Sequence, residues 1–349
     1  MIGARLSRQI AAGVTVGLVA LLLGGCGDPG EATPTDASAK GVAERTSSQP
    51  EGPLEIKVSL DGWMGAATAG LLTAQAHGYF DDAGLDVWLG TAFEPRAAVP
   101  QVLEETDDLG VVRLPQAILA KGTGAPVVVL GSVIAQPTEA MIWLRSAKIG
   151  SVSDLEGKTI AIPGDQYQEE FLQSVLARAG LTLKDVTLDR VAYNLAPALL
   201  DGSASAAFGG SGNLEGADLR SRGARPIVVA DRSLGIPDYE PLVLIARADF
   251  AAEHPEEIRG FMSAVARGTA TAQWHPDAAA KAVRRSTEKD PETTAAGGRA
   301  QLEATLPLLS PGESLDLEQT QTLIDWMAEE GMLSASFPAD SLLAKAAGS

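Results

Sequence analysis

Gly70-Leu71-Leu72-Thr73-Ala74-Gln75-Ala76-His77-Gly78-Tyr79-Phe80, with Ala83-Gly84-Leu85-Asp86-Val87 close behind, is the stretch that decides the fold. Residues 69 to 79 carry helical spacing and end before a turn. Gly78 and Gly84 bracket that end, where the backbone must pass through positive φ, a region open to glycine. Asp86 to Leu89 then reads as a strand. Just upstream, Leu54-Glu55-Ile56-Lys57-Val58-Ser59-Leu60 alternates apolar and polar residues with the period of a half-buried strand. Tyr79 and Phe80 read as core residues.

The alternation continues in both directions. Residues 96 to 105 read as a helix, Leu109 to Leu114 as a strand, Gln116 to Lys121 as a helix, and Val127 to Val133 and Met141 to Leu144 as strands. The pattern then restarts. Ser153-Asp154-Leu155-Glu156 is a short capped helix, Lys158 to Ile162 a strand, and Gln168 to Ala179 an amphipathic helix closed by Gly180. Val186 to Arg190, Ala206 to Phe208, Ile227 to Val229 and Pro241 to Ala246 follow as strands, with helices to the end. Such alternation builds α/β lobes with largely parallel sheets. The expected architecture is therefore two-lobed α/β: residues 54–143 plus 241–349 as lobe one, residues 148–236 as lobe two, and a ligand cleft between them. Phe261, Trp274 and Trp326 are expected to bury on lobe one, under the C-terminal helices.

Composition narrows the function. The 349 residues carry a formal net charge of −18, with one cysteine and three histidines. That balance excludes a nucleic-acid partner, which needs clustered Lys and Arg, and a polybasic contact with lipid head groups. A structural zinc site lacks ligands, and no cofactor is implied. Arg5 and Arg8 precede a run from Ile10 to Leu23 that is apolar or small apart from Thr15, ending in Leu21-Leu22-Leu23-Gly24-Gly25-Cys26. This is the layout of an export signal, too short to span a bilayer comfortably. Residues 27 to 53 are rich in Gly, Pro, Ser, Thr and charge and read as a flexible tether. With Cys26 alone there is no intrachain disulfide, so packing must hold the fold.

Three stretches carry a family resemblance. Gly70 to Phe80 with Ala83 to Val87 resembles the A-x-x-x-G-Y-F-x-x-x-G-L-x-V signature of type II solute-binding proteins. Ser153 to Ala161 resembles their D-L-x-G-K-x-I entry to the second lobe, in which Lys158 is solvated. Asn213-Leu214-Glu215-Gly216, with Gly235-Ile236-Pro237-Asp238-Tyr239, is similar to the branch that captures thiamine-pyrimidine precursors, the NMT1/THI5-like group, also described as sulfonate- and nitrate-binding. The resemblance implies a periplasmic-binding-protein type II fold and a receptor feeding an ABC importer. The Leu-Gly-Gly-Cys ending resembles a bacterial lipobox, implying residues 1–26 as a lipoprotein signal and Cys26 as a lipid-modified N-terminus.

In such a fold the ligand is touched by loops at strand C-termini. Loop one, Asp61 to Thr68, offers Trp63, to stack on a flat ligand or to pack between lobes, and Thr68. In loop two Arg113 either grips an acid group of the ligand or pairs internally with a carboxylate such as Glu215. Loop three, Gly164 to Glu170, opens a helix already occupied by Asp165, Glu169 and Glu170, which would repel an anionic ligand; Tyr167 is its candidate wall. Loop four, Gly209 to Glu215, supplies Asn213 and Glu215, able to bond an amino-pyrimidine edge. Loop five supplies Asp238 and Tyr239 as hinge, site or both. The branch usually has Trp directly after the loop-one Asp and a His near the first helix, where this chain has Gly62 and Thr68; Leu214 replaces the Trp of N-W-E-G.

The expected ligand is a flat, nitrogen-bearing heteroaromatic, with Trp63 and Tyr167 as walls and Glu215 as polar anchor. The partners implied are that small molecule, permease subunits and a membrane reached through the lipid anchor, with the receptor a monomer at the cell surface or in the periplasm. Alternatives are a sulfonate or nitrate receptor and a lipoprotein that presents its ligand to a sensor. An enzyme is disfavoured. The related pyrimidine synthase uses a cysteine-rich motif with a pyridoxal-bearing lysine and histidine, whereas His77, His254 and His275 read here as surface or capping residues.

Overall fold

The computed structural model describes residues 52–60, 62, 64–91, 97–192, 194–287, 295–312 and 315–344. Cys26, the leader, residues 27–51 of the tether, and Trp63 lie outside the described residues.

The first half of the fold contains β1 (Leu54–Leu60), α1 (Ala69–Ala76), α2 (Tyr79–Asp82), β2 (Leu85–Thr91), α3 (Ala98–Leu103), β3 (Leu109–Arg113), α4 (Leu114–Gly122) and β4 (Val127–Ile134). Then come β5 (Glu139–Leu144), β6 (Thr159–Ile162), α5 (Gln166–Arg178), β7 (Thr187–Arg190), α6 (Leu195–Asp201), β8 (Ala206–Ser211), α7 (Glu215–Ser221) and β9 (Pro226–Ala230). The chain ends with β10 (Leu242–Arg247), α8 (Ala248–Glu253), α9 (Pro255–Trp274), α10 (Pro276–Thr287), α11 (Ala295–Thr305) and α12 (Leu317–Glu329).

Among the described residues the strands form two five-stranded sheets, β2-β1-β3-β10-β4 and β7-β6-β8-β5-β9. The two orders are equivalent. In each sheet one strand runs antiparallel to both its neighbours: β10 in the first and β5 in the second. These reversed strands are the ones that arrive from the other sheet. The chain crosses over at residues 135–138 and returns at residues 231–241.

This topology corrects one expected boundary. The expected lobe one runs to residue 143 and so takes in most of β5, yet β5 lies in the second sheet, with Ile142 opposite Ala207 and Val228. An apolar run announces a strand, but its sheet is chosen by partners distant in sequence.

The local expectations around the deciding stretch hold. Ile56, Val58 and Leu60 are buried while Glu55 and Lys57 face out. Gly78 and Gly84 have φ of 70° and 75°. Phe80 stacks on Phe261 with ring centroids 5.0 Å apart, and Arg267 lies 4.0 Å over the Tyr79 ring. Helices α1 and α9 approach through glycines. A Cβ on Gly268 would lie 2.3 Å from the Gly70 carbonyl oxygen and 2.7 Å from the Ala74 nitrogen, both backbone atoms. Gly→Ala in an open helix interior gains about 0.5–1 kcal/mol. Here Gly268→Ala should cost about 1–3 kcal/mol through overpacking, read as a lower urea midpoint; a gain in stability would refute the close approach.

The apolar core is continuous between the sheets. One cluster joins Val112, Val129 and Val243 of the first sheet to Met141, Ile160 and Phe208 of the second, with Phe171 of α5 and Trp326 of α12. Phe171 meets the Trp326 ring edge-on at 4.8 Å, so α12 packs between the sheets rather than on lobe one alone. Trp274 is not buried; it is 81% exposed. It ends α9, whose buried face runs through Phe261, Val265, Gly268 and Ala272, and two residues beyond Ala272 the helix has turned about 200° away. No helix among the described residues is long and apolar enough to cross a membrane.

Candidate functional site in the cleft between the sheets

A cavity of about 210 Å³ opens where the strand C-termini of both sheets converge. Leu60 ends β1, Arg113 ends β3 and Ser211 ends β8, and all three line it. Parallel strands deliver their following loops to one edge of a sheet. Loops one, two and four therefore reach the cavity, and Thr68, Arg113, Asn213 and Glu215 are brought together there. Gly209, Gly210 and Ser211, read as loop, instead extend β8, and Glu215 is the first residue of α7.

Glu215 is held from behind. Its Oε2 accepts from the Ser211 backbone N–H at 2.6 Å and the Ser211 hydroxyl at 3.2 Å. Burial pushes its carboxyl above the usual range, opposed by the Ser211 N–H and by the charge of Arg113. Asn213 is buried; its amide donates to Thr305 Oγ1 at 2.8 Å, while its Oδ1 has no partner. Thr68 is buried against its own turn, with its hydroxyl 3.3 Å from the Gly65 carbonyl. The two arginines on the lining are already engaged with carboxylates, Arg222 with Asp218 at 2.9 Å and Arg113 with Glu139. Arg113 is thus internally paired, but with Glu139 rather than Glu215.

Three expected site residues lie elsewhere. Tyr167 is only 1% exposed and does not line the cavity. It shares the inward face of α5 with Phe171 four residues on, ring edge to ring face at 5.3 Å; spacing of four on a helix sent both into the core. Tyr239 is likewise buried and donates its hydroxyl to Glu139. Asp238 pairs with Arg232 at 3.5 Å. Asp238 and Tyr239 line a second cavity, of about 340 Å³, formed by the two crossover segments.

The head of α5 is also away from the main cavity. Glu169 is bound by Arg190 at 2.7 and 2.8 Å, and Asp165 faces Gln116 at 3.4 Å. The carboxylates of that helix start therefore do not line the cavity, whereas Glu215 and Asp218 do.

Sequence reasoning missed Glu139, Asp231 and the C-terminal roof. Glu139 opens β5 as a lone carboxylate before Ala140-Met141-Ile142-Trp143-Leu144, which was the available signal. It binds Arg113 of the first sheet and Tyr239 of the return crossover, tying both crossings to β3. Beside it Asp231 is 5% exposed with an unpartnered Oδ1. Burial and the Glu139 charge push its carboxyl well above the usual range, partly offset by Arg113. In the unfolded chain Asp231 ionises near its ordinary value, while in the fold it holds its proton to higher pH. Stability contributed by this site is full below the ordinary carboxylate range and falls as pH rises toward the folded value. Asp231→Asn should remove that fall, seen as a flatter melting temperature against pH above about pH 4; parallel profiles would overturn the assignment.

Val283, Gly298 and Gln301 close the cavity from the C-terminal helices, a contribution no motif announced. Among the described residues, no group of His, Cys, Asp and Glu is placed to hold a metal ion.

A family model described as NMT1/THI5 like matches residues 66–279. The formylaminopyrimidine-binding protein of Halalkalibacterium halodurans is 29% identical over 234 residues, covering 67% of this chain and 71% of that protein. A 4-amino-5-hydroxymethyl-2-methylpyrimidine phosphate synthase of Schizosaccharomyces pombe is 26% identical over 209 residues, covering 57% of this chain and 60% of that one. The periplasmic aliphatic sulphonate binding protein SsuA of Escherichia coli superposes with a TM-score of 0.64 at 14% identity, over 84% of this chain and 92% of that chain. That superposition makes the fold the periplasmic-binding-protein type, as expected from the sequence.

Proposed function

The chain belongs to the NMT1/THI5-like family, and from that premise we propose that it is an extracytoplasmic solute receptor binding a small planar pyrimidine related to thiamine precursors. One observation carries the reading. Glu215 stands on the cavity lining as a hydrogen-bond acceptor, with Asn213 next to it carrying a buried, unpartnered Oδ1, while both arginines on the lining are engaged by carboxylates. An aminopyrimidine presents an exocyclic amine, and a carboxylate facing it makes a charge-assisted bond. A sulfonate or nitrate needs donors and would meet Glu215 and Asp218. The formylaminopyrimidine-binding relative supports the same ligand class. At about 210 Å³ the cavity is small for a ligand site, which favours one ring over several.

In this reading Cys26 anchors the receptor to the membrane, and the ligand-bound form docks on permease subunits of an ABC importer. Ligand contacts on both sheets favour the closed arrangement, so occupancy shifts an open–closed equilibrium. The protein acts by binding rather than by catalysis.

A thermal-shift panel of 4-amino-5-hydroxymethyl-2-methylpyrimidine, riboflavin, taurine, nitrate and spermidine tests the reading. The pyrimidine should raise the melting temperature; at a hundredfold excess over its Kd it adds about 2.7 kcal/mol. Stabilisation by taurine or nitrate with none by the pyrimidine refutes the ligand class. Turnover of the pyrimidine to a new product would refute the binding-only role.

A further inference from the structure

The roof of the cavity comes from beyond the residues that the family model matches. The match ends at residue 279, whereas Val283, Gly298 and Gln301 line the cavity. Gly298, Gln301 and Thr305 are spaced by three and four residues, so they share one face of α11. That face turns toward the second sheet: α11 packs on α7, and the Thr305 hydroxyl holds the Asn213 amide at 2.8 Å. The bond uses the NH₂ of Asn213 and leaves its buried Oδ1 without a partner. One helical turn before Thr305, the Gln301 side chain meets the cavity with no hydrogen-bond partner among the described residues. Gly298 has no side chain to fill the space beside it.

We propose that α11 sets the ligand selectivity of this protein: the Gln301 amide, together with the Asn213 Oδ1 oriented by Thr305, receives a short, uncharged hydrogen-bonding arm on the ring, such as a hydroxymethyl or formamide group. The inference rests on the pyrimidine reading above. A primary amide donates and accepts, and the fixed Oδ1 only accepts. Between them they match an arm that does both. A phosphorylated arm would bring its charge into a cavity lined by Glu215 and Asp218. A ligand lacking the arm leaves the Asn213 oxygen buried and unpaired, the situation in which polar sites discriminate most strongly.

Calorimetric titration with two probes tests the proposal: 4-amino-5-hydroxymethyl-2-methylpyrimidine and 4-amino-2,5-dimethylpyrimidine, which lacks the hydroxyl. The unaltered protein should prefer the hydroxymethyl compound by about tenfold, and Gln301→Leu should reduce that ratio to about twofold or less. Gln301→Met, which keeps length and helix propensity, should do the same. The ratio of affinities is insensitive to any misfolded fraction. A preference retained in both variants, or no preference in the unaltered protein, overturns the role of α11 while leaving the pyrimidine reading intact. Binding of neither probe overturns both.

Discussion

Glu215→Gln should weaken binding of 4-amino-5-hydroxymethyl-2-methylpyrimidine on the order of 10- to 100-fold, with little change in the melting temperature of the unliganded protein. The substitution separates two roles. Glutamine keeps an oxygen to accept from the Ser211 N–H, which the carboxylate now holds at 2.6 Å, so the turn into α7 survives. It loses the negative charge that the proposed pyrimidine amine would meet. Glu215→Ala would confuse these effects by leaving the Ser211 N–H unpaired. Because burial raises the Glu215 carboxyl above its usual range, protonation should also begin to weaken binding at a higher pH than for an ordinary glutamate. Isothermal titration at neutral pH and at about pH 5 measures both. Equal affinity in Glu215→Gln and the unaltered protein would reduce Glu215 to a turn residue.

The largest loss of stability is expected where the two crossover segments meet β3. Glu139→Ala should cost about 2–4 kcal/mol, because it breaks a largely buried ion pair and leaves the Tyr239 hydroxyl without its acceptor. The side chains of Arg113 and Glu139 are 19% and 4% exposed. The Tyr239 hydroxyl, held by the same carboxylate, would be orphaned as well. Replacing both members takes the broken pair out of the fold. Arg113→Met with Glu139→Leu should therefore recover most of the loss, in the way buried ion pairs yield to apolar replacements of similar volume. Urea midpoints of the two single variants and the double variant form the cycle. Additive losses, or a single-variant cost under about 1 kcal/mol, would show the crossovers to be held by packing alone.

The stability terms run in opposite directions at these crossovers. Glu139 accepts from both Arg113 and Tyr239, whereas Asp231 beside it is buried with an oxygen unpaired. A half-satisfied polar cluster is costly, and here it sits where the two sheets are joined rather than on the cavity's main lining.

The amino-acid sequence by itself determined what depends on neighbours along the chain. Alternation at Ile56, Val58 and Leu60 is a strand wherever it occurs, and glycines at 78 and 84 are needed by turns whose φ is positive. It also determined that residues just past strands face the cleft, because parallel strands share a C-terminal edge; hence Thr68, Arg113, Asn213 and Glu215 were legible as a group. Packing between distant segments settles which group each side chain meets. Nothing near Arg113 names Glu139 as its partner, nothing near Asn213 points to Thr305, and nothing near Tyr167 or Trp274 says that one is buried and the other exposed. Local periodicity sets which face of an element is apolar. Packing sets what that face touches, and those contacts join residues on different strands and helices, so no window of sequence contains them.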